Sequence, residues 1–152
     1  MDDNVYTQTM GHIDVVRGLI KVVQQELMER SKRHDMSKLV APEIEYFEKY
    51  TPLLKDSVYG SEEYDRFRAE MKPAMDHHYV ENRHHPEHFK SGIEDMNLVD
   101  LIEMVCDWKA ASMRHNDGDV YRSLDISCKR FGVSESVYKI LRNTVDFLEG
   151  KK

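Results

Sequence analysis

A chain of 152 residues has the length of one domain and buries about two-thirds of its unfolded surface, so neither a disulfide nor a partner is needed to explain its folding. With 33% charged residues and a net charge of -6 it repels a nucleic-acid backbone as a whole, which sets aside a long nucleic acid and leaves a small anion drawn to a local cationic or metal centre. The N-terminal Met1-Asp2-Asp3-Asn4 is acidic where a secretion signal is basic, and the apolar runs are too short to span a bilayer. Cys106 and Cys128 form no CxxC, so they read as buried thiols of a cytoplasmic protein with no membrane contact.

From about Tyr6 to Arg30, Val16, Leu19, Val23 and Leu27 recur at helical spacing, and four residues before Val16 stands His12. That register turns His12 inward, where it is either a core histidine bonded to a carbonyl or a metal ligand. Next comes Arg33-His34-Asp35-Met36-Ser37-Lys38, with two metal-binding side chains adjacent. If this segment is helical, His34 and Lys38 share a face at i,i+4. Asp35 or Ser37 also reads as a cap for the helix that Ala41-Pro42-Glu43 begins; Val40, Ile44 and Phe47 mark its inward stripe and Pro52 its end.

Asp56 to Ser61, with Gly60, reads as a turn. Tyr64, Phe67, Met71, Met75 and His78 then follow at steps of three and four, which points His78 rather than His77 toward the core, while Pro73 predicts a kink or a late helix start. From His77 to His88 the chain collects five of its eight histidines in twelve residues. A solvated face has no reason to gather so many imidazoles; a metal does, since neutral imidazole is the commonest protein ligand for transition ions. Pro86 forces His85 out of helical conformation, so the pair His84-His85 belongs to a turn, and Lys90 to Asp95, with Gly92, reads as loop.

Met96 to about His115 is the strongest helix, apolar at Leu98, Leu101, Ile102, Val105 and Trp108. Its other side carries Asp100, Glu103 and Asp107, then Ala110, Ala111 and Arg114. Glu103 and Asp107 at i,i+4 repel on a bare helix, a cost that a nearby cation removes. The two alanines suggest close packing of another backbone, so Asp107 is taken as the inward acid and Glu103 as support behind it. After a turn at Asn116-Asp117-Gly118-Asp119, one helix carries Leu124, Cys128 and Phe131 to Gly132, and a last one, capped by Ser134, carries Val137, Leu141, Val145 and Leu148. With no period-two alternation, the expected fold is all-α: a single compact domain over residues 1–152 of about six helices.

The order of His12, the pair His34-Asp35, further histidines and Asp107 resembles the HD-domain superfamily of metal-dependent phosphohydrolases, whose fold is all-α and whose substrates are phosphate esters, often nucleotides. His34-Asp35-Met36-Ser37-Lys38 looks like the His-Asp-x-Gly-Lys motif of the branch that cleaves cyclic dinucleotides, with Ser37 in place of glycine. His78 and the pair His84-His85 fill the places that two-metal members give to further histidines, although they lie closer together here and the Gly-Tyr-Pro signature is missing. From His12 to Asn143 the chain also resembles an uncharacterised family of small bacterial and phage proteins that share the His-Asp-x-Ser-Lys, Asn-Arg-His-His-Pro-Glu and Asp-Trp-Lys-Ala-Ala phrases.

The resemblance implies one or two divalent transition ions, Mn, Fe, Ni or Zn, held by His12, His34, Asp35, His78, His84, His85 and Asp107. Asp35 would share in catalysis, Lys38 and Arg114 would stabilise a reacting phosphate, and Asn82, Arg83 and Glu87 would contact the rest of a small phosphate-containing ligand. The alternatives are a module that binds a nucleotide or a protein partner without turnover, and a structural metal site, which disagrees with the cysteine-rich donor sets such sites recruit.

Overall fold

The computed structural model describes residues 3–57, 61–114 and 118–151, and among these there is helix and no strand. The α-helices are α1 Asp3–Arg33, α2 Glu43–Asp56, α3 Glu62–Glu70, α4 Lys72–Glu81, α5 Leu98–Ser112, α6 Val120–Arg130 and α7 Glu135–Leu148. Short 3₁₀ helices stand at Met36–Leu39, Pro86–His88 and Gly92–Asp95, the last within the stretch expected to be loop. The element expected to run from Tyr64 to His78 divides into α3 and α4 because Pro73 lacks an N–H and its ring excludes the carbonyl four residues back; it fits only in a first turn, so α4 starts at Lys72. The turn expected around Gly60 and the span from His115 to Asp117 lie outside the described residues.

Backbone contacts divide the chain into two compact units, Met1–Arg33 and His34–Lys152. The first is α1 alone. Its stripe residues Val16, Leu19 and Val23 are exposed, and so is His12, contrary to the inward placement expected. A lone helix has no core of its own, so periodicity by itself does not bury its stripe.

In the second unit, α5, α6 and α7 close a core of Ile93, Met104, Val105, Val120, Leu124, Cys128, Leu141 and Val145, with Leu101, Trp108 and Phe131 packed on it. The inward face of α5 is thus Leu101, Met104, Val105 and Trp108; Leu98 and Ile102, expected in the same stripe, are exposed. Ala110 and Ala111, expected to pack closely, are exposed too. Asn97 caps α5 and exchanges bonds with Asp100 in a capping box; Asp119 and Ser134 cap α6 and α7. Gly132, at φ 61, closes α6 in the left-handed conformation that lets the Val133 N–H reach the Cys128 carbonyl. Cys128 is buried, whereas Cys106 is exposed beside the acidic side of α5; both are free thiols.

Helix α2 differs from expectation in two ways. It runs through Pro52 to Asp56, giving up only the bond a proline cannot donate, while half-buried Leu54 carries its packing onward. Its inward stripe is Glu43, Phe47 and Tyr50, and Val40 is exposed: a fully buried carboxylate occupies the place that a hydrophobic pattern gives to an apolar residue. No helix among the described residues is long and apolar enough to cross a membrane.

Candidate metal centre

His34 and Asp35 directly follow α1 in sequence and begin the second unit. Asp35 has φ 59, a left-handed backbone that costs a non-glycine residue roughly 1–2 kcal/mol and persists where its surroundings hold it. Here they hold the carboxylate: Oδ2 accepts from Lys38 Nζ at 2.5 Å, and Oδ1 lies 3.2 Å from His78 Nε2 and 3.5 Å from His84 Nε2. The reversal at Asp35 also starts the 3₁₀ helix that returns Ser37 and Lys38 to its side, with the Lys38 N–H on the Asp35 carbonyl.

On α4, Ala74 and His78 are fully buried one turn apart, and His77, about 100° round the helix, keeps 37% of its side chain exposed, as the register of the stripe demands. The helix ends at Glu81, and the Asn82 amide donates to the His78 carbonyl and to Ser37 Oγ. Arg83 then makes two bonds, 3.1 and 3.0 Å, to the buried carboxylate of Asp100, which ties the turn to the start of α5. His85 is extended, as a residue before proline must be, and with the turn so anchored His84 is 2% exposed.

Asp100, Glu103 and Asp107, at i, i+3 and i+7, share one sector of α5 on the side away from the core. Glu103 Oε1 accepts from His34 Nδ1 at 3.0 Å and from His84 Nδ1 at 3.2 Å, so both rings turn Nε2 the other way. His34 Nε2 lies 3.6 Å from Asp107 Oδ1 and 3.7 Å from Asp35 Oδ2. His78 Nε2 is 3.0 Å from His85 Nε2. Three overlapping groups have ligand-type atoms within 4.8 Å of one another: Asp35, His78, His84 and His85; His34, His84 and Glu103; and His34, Asp35 and Asp107.

Burial pushes the Asp35 carboxyl up, but the His78 and His84 rings beside it and the Lys38 ammonium outweigh it and hold the group well below the ordinary carboxylate range. Glu103 and Asp107 are likewise held low against their burial, Glu103 by His34 and His84 and Asp107 by His34. Asp107 and Glu103 together push His34 up to about 10. Burial, with His84 and His78 alongside, pushes His85 down to about 3, so its ring is neutral and keeps a bare lone pair at pH 7.

Among the described residues, two buried side-chain atoms have no hydrogen-bond partner: Asp35 Oδ1 and His84 Nε2, 3.5 Å apart. Leaving such atoms unmet costs roughly 1–3 kcal/mol each. A cation between them satisfies both, and imidazole nitrogens with carboxylate oxygens form a donor set that suits Zn, Mn, Fe or Ni.

The folded chain thus gathers His34, Asp35, His78, His84, His85 and Asp107, with Lys38 on Asp35. His12 belongs to the first unit and is exposed on α1. Within the second unit the remaining expected residues lie elsewhere or have other partners. Arg114 follows the end of α5, seven residues and about 10 Å of helix rise beyond Asp107, and is exposed. Glu87 is carried by the Pro86–His88 turn to an ion pair with Arg130, 2.8 Å. Arg83 and Asn82, expected to touch substrate, are spent on Asp100 and on Ser37 and His78. Arg83→Ala therefore lowers stability by about 1–3 kcal/mol, the cost of stripping a partner from a buried carboxylate that keeps one backbone bond, without changing metal affinity; a chemical melt and a metal titration read the two separately.

Glu43 was not among the expected site residues, yet it is fully buried against His77 and His78. The only sequence signal for it is its place four residues before Phe47 and seven before Tyr50, on the buried face of α2.

No curated protein and no solved structure matches the chain. A family model described as a family of unknown function, DUF5662, matches residues 1–150. The chain therefore belongs to the DUF5662 family.

Proposed function

We propose that this protein is a metal-dependent phosphohydrolase of the HD type, acting on a small phosphoester, a nucleotide in the first instance, with one or two divalent ions drawn from Mn, Fe, Ni and Zn. The observation that carries the reading is the unpartnered buried pair Asp35 Oδ1 and His84 Nε2, set among the Nε2 atoms of His78 and His85. Asp35 belongs to two of the ligand groups, with His78, His84 and His85 on one side and His34 and Asp107 on the other, which supports two positions sharing its carboxylate. Seven nitrogen- and oxygen-bearing residues across the three groups, none of them cysteine, disfavour a closed structural site.

Asp35, His34, His78, His84, His85 and Asp107 would hold a divalent ion, whose chemistry there would be to acidify a water and polarise a phosphoryl oxygen. The chain's own groups do the rest. Neutral His85 offers a lone pair without first losing a proton, and Asp35 and Asp107 bring negative charge that balances the ion. Lys38 Nζ, on Asp35 and 5.3 Å from the centre of the Phe47 ring, supplies a cation beside the ligands for the charge that develops on a transferred phosphoryl group. Phe47 and Tyr79, both ring neighbours of His78, also line an open cleft of about 670 Å³ with Tyr64 and Met75 on one part and the charged Asp65, Arg68, Lys72 and Asp76 on another, which offers room beside the cluster for the rest of a small ligand.

The test is phosphate release by Mn²⁺- and Zn²⁺-loaded protein from a panel of nucleoside monophosphates and cyclic nucleotides. Turnover of at least one, lost on chelation, is expected. Tight binding of a member with no turnover across the panel would replace the enzyme with a binding module.

A further inference from the structure

Each of the three buried or half-buried histidines that turn Nε2 toward Asp35 has a carboxylate behind its Nδ1. For His34 and His84 that is Glu103; for His78 it is Glu43, from a different helix. Glu43 is 0% exposed, and a carboxylate so deep is strongly disfavoured unless donors surround it. Its donors are three: His77 Nδ1 on Oε1 at 2.8 Å, and His78 Nδ1 at 2.9 Å and Ser37 Oγ at 3.0 Å on Oε2. No lysine or arginine pairs with it among the described residues, so the anion is met by groups of the site and its immediate neighbours.

An imidazole nitrogen that faces a carboxylate keeps its proton. His78 has a carboxylate on each side, fully buried Glu43 on Nδ1 at 2.9 Å and half-buried Asp35 on Nε2 at 3.2 Å; the shorter and deeper contact holds the Nδ1 proton, and a cation taken up by Asp35 would leave Nε2 free. We infer that Glu43 is a positioning residue that holds a proton on Nδ1 of His77 and of His78 and so turns His78 Nε2 toward Asp35 Oδ1 and His85 Nε2, and that this inference rests on the metal reading only for what that nitrogen is used for. The geometry supports it at both ends. Ser37 comes from the turn that carries Asp35 and Lys38, and His78 from α4, so one carboxylate on α2 ties the two segments that meet at the cluster. The same arrangement, a carboxylate on the far nitrogen of a ligating histidine, sets ring orientation and ligand basicity in metal sites generally, and its loss costs about 10–100-fold in metal affinity.

The experiment uses the full chain with ¹⁵N-labelled histidine. Long-range ¹H–¹⁵N spectra of the metal-free wild type are expected to place a proton on Nδ1 of His77 and of His78; a bare Nδ1 on His78 overturns the inference, whatever the protein does with metal. In Glu43→Gln the side-chain amide offers one acceptor and one donor, so at least one of the two rings must change form, and Zn²⁺ affinity by chelator competition is expected to fall 10–100-fold. Unchanged affinity, in a variant whose spectrum shows the native fold, also overturns it. If Glu43→Gln does not fold, the wild-type spectrum still decides. If the wild type binds no zinc while His78 carries its proton on Nδ1, the metal reading fails and the role of Glu43 in setting the ring stands.

Discussion

Asp35→Asn is expected to lose metal and turnover together. Asp35 is the one carboxylate that faces both sides of the cluster, Oδ1 toward His78 and His84 and Oδ2 toward His34 and Lys38, so the charge it brings serves every position the histidines can form. Loss of a group behind a ligand costs about 10–100-fold in metal affinity; removal of a shared charged ligand exceeds that, and retention after dialysis should fall from stoichiometric to background. Asparagine is the better probe because the residue stands at φ 59, a backbone asparagine tolerates and alanine resists. Asp35→Ala should show the same loss with an added stability deficit of roughly 1 kcal/mol. Metal content by elemental analysis and phosphate release, measured on the same preparations, give the result. Full metal in Asp35→Asn would remove the residue from the site.

Lys38→Ala separates binding from rate. In the metal-free protein its ammonium neutralises Asp35, so it competes with any incoming cation for that carboxylate. Removing it should leave metal affinity unchanged or raise it. The turnover number should fall by about 10²–10³, the scale of one lost contact to developing charge in a transition state. The two signs together are diagnostic: weaker metal binding would mean that Lys38 holds the turn in shape, and an unchanged rate would mean that it serves only to balance Asp35. Both are read from a metal titration and steady-state rates at saturating metal.

Much of this cluster is legible as spacing. Pro86 alone requires His85 to be extended, the stripe through Met71 and Met75 separates buried His78 from half-exposed His77, and Asp100, Glu103 and Asp107 fall on one side of α5 in any helix. Glu43 is not legible in that way. A hydrophobic pattern counts a glutamate as outward and so runs the stripe of α2 through Val40, Ile44 and Phe47; the burial of Glu43 makes physical sense only once His77 and His78 arrive from α4 to donate to it. Arg83 fails for the matching reason, since its partner Asp100 lies across a turn and serves a helix cap that sequence spacing does not reveal as buried. His12 shows the limit of periodicity: an apolar stripe states which residues of α1 share a face, and whether anything covers that face is a separate tertiary fact. Arg114 and Glu87 enter through the resemblance alone, which does not show that Arg114 lies past the end of α5 or that the 3₁₀ turn gives Glu87 to Arg130.

Crystals of zinc-reconstituted protein, with anomalous differences measured on both sides of the zinc edge, test the central claim most directly. The account predicts an anomalous peak bounded by Asp35, His78, His84 and His85, with a second, if two ions bind, bounded by Asp35, His34 and Asp107. Zinc found only on outlying histidines such as His88, which donates Nδ1 to the Tyr79 carbonyl, with Asp35 Oδ1 and His84 Nε2 still facing each other, would contradict it.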